Sequence, residues 1–136
     1  MLDEKTKRSQ AEIWLDEAER HWRESDQSEK AAKETLNFIE NAILLNPLNH
    51  RAWADKGFIL KQLGNLESAL MCLDRALALD QGYVNPLYNK GVLLGLMGRF
   101  EEALKCYEQV LRKEPKHELA QRDMNVLLQI IHKKKS

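Results

Sequence analysis

The stretch AWADKGFILKQLGNLESALMCLDRALALD, beginning at Ala52, returns as PLYNKGVLLGLMGRFEEALKCYEQVLRKE from Pro86, an offset of 34 residues. Gly57 falls on Gly91, Gly64 on Gly98, Ala69 on Ala103, Leu70 on Leu104, Cys72 on Cys106 and Leu77 on Leu111. A period of this length, made of two amphipathic stretches, is a supersecondary unit that cannot bury its apolar face alone. It needs neighbours of its own kind, which restricts the chain to stacked helix pairs. Counted this way, one copy runs over 50–83 and the next over 84–117. Each reads as an apolar helix, a short turn at LGN or MGR, and a second apolar helix. Gly57 and Gly91 lie inside the first helix, where glycine is about 1 kcal/mol worse than alanine. The recurrence of that penalty implies a packing reason: without a Cβ the partner helix can approach, and Ala69 and Ala103 are the small residues expected to meet it. Gly64 and Gly98 are expected to close the first helix in a left-handed conformation, with Asn65 capping the next.

Within this frame Trp53, Gly57, Leu60, Ala69, Leu73 and Ala76 resemble the signature of a tetratricopeptide repeat (TPR), as do Gly91, Leu94, Ala103, Tyr107 and Pro115. The chain departs from the pattern at Lys56 and Lys90, which replace a leucine, at Leu87, which replaces a tryptophan, and at Gln81, which replaces a proline. A degenerate first copy spans 11–49, from AEIW to NAILLNP, with Ala18 and Thr35 in place of the small residues. It is five residues longer than the others; the segment SDQSEKAAK suggests a longer first helix and a longer turn. Ser9 and Glu12 form an S-x-x-E capping box that would start this helix, leaving 1–8 as a frayed segment. Residues 118–134 read as a capping helix with Ala120, Met124, Leu127, Leu128 and Ile131 as its core stripe. The resemblance implies an all-α, right-handed α-solenoid: three TPR helix-turn-helix pairs, the first degenerate, plus that C-terminal capping helix, in one domain over 9–136.

In TPR proteins the first helix of each pair lines a concave groove. Helical spacing transfers those positions to Arg51, Ala54, Asp55, Phe58, Lys61 and Gln62 in the second copy, and to Asn85, Tyr88, Asn89, Val92 and Leu96 in the third. The cap adds Leu119, Arg122, Val126, Gln129 and Ile130; the first copy adds Glu12, Leu15, Asp16, Glu19, Trp22 and Arg23. The apolar members imply an interaction patch. Asn89 resembles a groove asparagine that bonds a peptide backbone. Asn85 has a rival reading as a helix cap before Pro86. TPR proteins that clamp the acidic tail of chaperones carry lysine, asparagine and arginine where this chain has Leu15, Glu19, Asp55, Asn85 and Asn89. The two carboxylates would repel such a tail. The implied guest is an apolar or amphipathic protein segment, whose basic residues would pair with Asp16, Glu19 and Asp55. Leu119, Val126 and Ile130 fall within about 40° of one another on the last helix. They are read as groove wall, or alternatively as the contact of a homodimer through the C-terminal helix.

The remaining features narrow the function class. Lys+Arg and Asp+Glu both number 21, so no net field draws nucleic acid or acidic lipid. No apolar run approaches the roughly 18 residues of a membrane span, and MLDEKTKRSQ lacks a signal-peptide core, which suggests a cytoplasmic protein. Cys72 and Cys106 sit at equivalent points of neighbouring copies. Helices packed about 10 Å apart exceed the roughly 7 Å reach of a disulfide, so both are read as reduced thiols. His21, His50, His117 and His132 have no metal-ligand spacing, and no phosphate-binding glycine loop is present. No cofactor, metal or catalytic group is expected, and the HKKKS end reads as a solvated terminus that complements its helix dipole.

Overall fold

The structure is a computed structural model that describes residues 1–135. Seven helices and no strand are found among the described residues: α1 Glu4–Glu24, α2 Glu29–Leu45, α3 His50–Gln62, α4 Leu66–Leu79, α5 Val84–Leu96, α6 Phe100–Lys113 and α7 Glu118–Lys135. The 34-residue offset holds at both ends of two helices. Shifting α3 gives α5, and shifting α4 gives α6. The fold is all-α, three helix pairs followed by one more helix. It forms two compact units, Met1–Asp80 and the remainder from Gln81.

In the first unit, α1 packs on α2, α2 on α3 and α3 on α4. Ala11, Leu15, Ala18, Ala32, Ile39, Ala42, Ala52 and Ile59 make its continuous core. The close approach of α3 and α4 has a visible cause. A Cβ on Gly57 would lie 2.9 Å from the Leu73 side chain and 3.2 Å from the Ala69 carbonyl oxygen. In the second unit, α5 packs on α6 and α6 on α7. There a Cβ on Gly91 would stand 2.7 Å from the ring of Tyr107, which is buried. The side chain fitted against the glycine is Leu73 in one copy and Tyr107 in the other, not the expected alanine; Ala69 reaches Gly57 only through its carbonyl oxygen.

The helix ends follow local chemistry. Gly64 (φ 81°) and Gly98 (φ 78°) adopt the left-handed conformation. Next to them, the Asn65 N–H donates to the Leu60 carbonyl and the Arg99 N–H to the Leu94 carbonyl, both at 2.9 Å. This double-wrapped ending satisfies carbonyls that a simple stop would orphan. Asn65 stands at the cap position of α4, but its side chain makes no capping bond, so the glycine ending rather than the asparagine sets that turn.

Two expectations for the first copy are corrected. The helix does not start at Ser9, and residues 4–8 belong to it: Asp3 caps α1, its carboxylate accepting from the Thr6 N–H at 2.8 Å. That bond lowers the Asp3 pKa, as a charge at a helix N-terminus should. Glu12 is not available to close a capping box, because Asn49 Nδ2 and Arg51 Nη1 donate to it at 2.6 and 2.8 Å. The extra residues lengthen α1 to 21 residues and also α2 to 17. Between them, Gln27 takes a positive φ of 55° and Ser28 caps α2 by accepting from the Ala31 N–H. The departure Lys56 is explained as well: its ammonium bonds Glu40 at 2.8 Å and lies 5.4 Å over the Trp53 ring.

Candidate functional site

In the first unit, α1 brings Glu12, Asp16 and Glu19 to one face by their i, i+4, i+7 spacing. Helix α3 brings Arg51 and Asp55 against them. Arg51 Nη1 donates to Glu12 at 2.8 Å and to Asp16 at 3.0 Å, and Nη2 donates to Glu19 at 3.0 Å. Asp55 stands 3.8 Å from Arg51 Nε, an ion pair too long for a hydrogen bond. One guanidinium thus serves four carboxylates. Burial pulls the Arg51 pKa down, and its bonds to Asp16 and Glu12 outweigh this and raise it. Asp55 is less well compensated. Burial, opposed by Arg51 and reinforced by Glu19 and Glu12, pushes its pKa up to about 6. The acidic residues expected to await a basic guest are therefore already engaged with Arg51, and Asp55 is the least satisfied of them.

Beside Asp55 an open pocket of about 150 Å³ enters the unit. Its walls are Ala18 and Trp22 from α1, Ile39 from α2, and Phe58 and Ile59 from α3. Glu19, Asp55 and Thr35 supply its polar atoms. The Thr35 hydroxyl donates to the Ala31 carbonyl at 2.8 Å, so it is already satisfied. Trp22 and Phe58 meet edge to face, with ring centroids 6.2 Å apart, and Lys61 Nζ lies 5.1 Å over the Phe58 ring. Asp55 and Phe58 come from the predicted groove set and join Glu19 and Trp22, the first-copy positions, at this pocket. Gln62 is exposed farther along α3. Leu15, a predicted groove position, is instead fully buried core.

The second unit carries the other predicted residues. Tyr88 is held by the protein itself: its hydroxyl donates to Asp123 Oδ2 at 2.6 Å. Its ring lies 5.8 Å from that of Tyr107 and 5.0 Å from that of His117. Burial first, then the bond to Asp123, pushes the Tyr88 pKa up to about 12. Asn85 does not cap a helix. Tyr83 is the cap residue of α5, which puts Asn85 exposed in its first turn, while Asn89 and Val92 are half-buried. Leu96 is 63% exposed and Val126 50%; Ile130 is half-buried. Arg122 is exposed and bonds Asp123 at 3.3 Å. On the opposite stripe of α7, Ala120 and Leu127 are buried, but Leu128 is 45% exposed, so it is not part of the core. The role of Asp123 and the capping of α7 by His117, whose Nδ1 accepts from the Ala120 N–H, had no sequence signal beyond their helical position.

Among the described residues no group of three or more His, Cys, Asp or Glu is arranged to hold a metal ion. Nor is any helix long and apolar enough to cross a membrane. Cys72 and Cys106 are both buried, and neither forms a disulfide among the described residues.

The tetratricopeptide-repeat pattern matches residues 50–83 and again 84–117, together half of the chain. The chain belongs to the tetratricopeptide-repeat family. Solved TPR domains share its fold. The Arabidopsis OM64 TPR domain superposes with a TM-score of 0.83 at 19% identity, over 90% of this chain and 98% of that one. The first TPR domain of Spaghetti (RPAP3), bound to the HSP90 peptide SRMEEVD, gives 0.84 at 18% identity, over 92% and 98%. An uncharacterized protein of Methanocaldococcus jannaschii is 35% identical over 57 residues, 42% of this TPR chain and 66% of that protein, just under two thirds of its length.

Proposed function

We propose that this TPR chain is a non-catalytic protein-interaction module that receives an apolar or amphipathic segment of a partner on the α1–α3 face of its first unit. The observation that carries this reading is the open apolar pocket between α1, α2 and α3, with Glu19, Trp22, Asp55 and Phe58 around it. A pocket with few polar groups on an otherwise packed scaffold is where binding energy is available. Arg51 supports the reading by holding the flanking carboxylates in fixed positions, so that little ordering is left for the moment of binding. Some TPR domains of this fold hold chaperone tails, as the Spaghetti (RPAP3) domain holds its HSP90 peptide. The chemistry here argues for a different guest. Glu19 and Asp55 repel an acidic tail, and Leu15 is core.

The test is a photoreactive residue placed in turn at Gln62, on the pocket side of α3, and at Met71, 73% exposed on α4. Crosslinking to one partner from position 62 and not from 71 is expected in extract of the source cell. Crosslinks from 71 alone would move the binding face and end the proposal. In the second unit, Leu119 and Val126 are 46% and 50% exposed on α7, which favours a second reading, self-association through that helix. Light scattering at rising concentration checks it: a constant monomer mass refutes it.

A further inference from the structure

We infer that the first-unit pocket takes a basic side chain, lysine or arginine, presented by a partner polypeptide, with its aliphatic stem along Trp22, Ile39 and Phe58 and its cation against Asp55. This rests on the interaction reading above and specifies the partner's chemistry. The residues around the cavity include two carboxylates, Glu19 and Asp55, and no basic group. The protein's own cations are committed nearby. Arg51 is bound to Glu12, Asp16 and Glu19, Arg23 stands 3.7 Å from Glu19, and Lys61 lies over Phe58. Of the carboxylates in the cluster Asp55 is the exception: among the described residues, none donates it a hydrogen bond, and its nearest cation is the Arg51 Nε at 3.8 Å.

The volume, about 150 Å³, is room for one long side chain and not for a helix. Three kinds of side chain compete for it. An acidic one meets Glu19 and Asp55 and is repelled. A purely apolar one fills the walls but strips water from Asp55 without replacing it, an unfavourable exchange for a charged group. A basic one satisfies both parts, since its methylenes lie on apolar surface while its charge reaches the carboxylate. The aromatic walls suit this guest too, because ring faces attract cations, as Lys61 over Phe58 already illustrates. Burial pushes the Asp55 pKa up to about 6, so at pH 7 it is a carboxylate in costly surroundings, and it gains a counter-charge when such a guest enters.

The experiment selects peptides from a display library of random dodecapeptides on the intact chain, on Asp55→Asn and on Phe58→Glu, each checked for helicity by circular dichroism. The strongest peptide is then resynthesised with each basic residue replaced by norleucine. The expected result is a basic residue fixed at one position of the selected peptides, with about tenfold or greater weakening both on norleucine replacement and on Asp55→Asn. Selection of apolar peptides without a basic position, lost on Phe58→Glu, overturns the basic guest and leaves the interaction reading standing. Peptides whose capture neither variant changes overturn both. Should Asp55→Asn lose helicity, the norleucine series on the intact chain decides alone: unchanged affinity on replacement of every basic residue overturns the inference.

Discussion

Two glycines in α5, four residues apart, should respond to the same substitution with opposite signs. Gly91 and Gly95 share a helix, and Gly→Ala in a helix interior ordinarily gains about 1 kcal/mol through backbone entropy. At Gly95, one residue before the end of α5, a Cβ would meet nothing within 4 Å, so Gly95→Ala should stabilise by a large part of that amount. At Gly91 the same atom would sit 2.7 Å from one ring carbon of Tyr107 and 3.1 Å from two others. Tyr107 is 3% exposed, and its rigid ring cannot fold away as the end of a flexible chain would. Overpacking of this kind costs about 1–3 kcal/mol. Subtracting the helix gain leaves Gly91→Ala between neutral and about 2 kcal/mol destabilised, and about 1–3 kcal/mol below Gly95→Ala. Urea unfolding followed by circular dichroism measures both from their midpoints at constant slope. Equal stability of the two variants would refute the argument that Tyr107 is what requires Gly91.

Other perturbations test the charged cluster and the second unit. Arg51→Met removes the cation shared by Glu12, Asp16, Glu19 and Asp55; urea unfolding should show a loss of about 1–3 kcal/mol that shrinks in high salt. The raised Asp55 pKa gives a stability contribution fully present below the unfolded value of 3.8 and lost as pH rises through about 6. Thermal melts across that window should therefore show a pH slope that Asp55→Asn flattens, while capture of a basic peptide should run the other way, strengthening as Asp55 ionises beside Arg51, Glu12 and Glu19. His117→Ala should cost about 1 kcal/mol of urea stability by removing the α7 cap, whereas His117→Asp, which keeps an acceptor for the Ala120 N–H, should retain it. Tyr88→Phe leaves Asp123 without its 2.6 Å donor and should cost about 1–2 kcal/mol in the same assay.

The repeated pair was legible because its determinants are local. A glycine needed at a left-handed helix end, or opposite a close side chain, must recur wherever the unit recurs, and the helix limits of α3 and α5 coincide after the shift for that reason. The first copy was less legible because its signals compete. Both D-x-x-T at Asp3 and S-x-x-E at Ser9 can start a helix, and what decides between them is tertiary: Glu12 is taken by Asn49 and Arg51, which lie 37 and 39 residues away. Asn85 failed as a cap for a similar reason. Proline is tolerated throughout a first helical turn, where its missing N–H has no partner to lose, so Pro86 did not fix which residue preceded the helix.

The pocket was half legible. Spacing along α1 and α3 identified residues that share a face, but not which side chains across the two helices would consume one another. Arg51 shows the difference. As one exposed cation in a groove it would be available to a guest; bonded to Glu12, Asp16 and Glu19 it is scaffold, and its partners are scaffold with it. What it leaves over is determined by geometry: Asp55 stands too far from Nε for a hydrogen bond and borders an apolar cavity. A chain with 21 basic and 21 acidic residues has no net field, yet burial removes the solvent screening that would make one carboxylate equivalent to any other. The balance that argues against nucleic acid as a partner therefore says nothing against a charged guest at this one position.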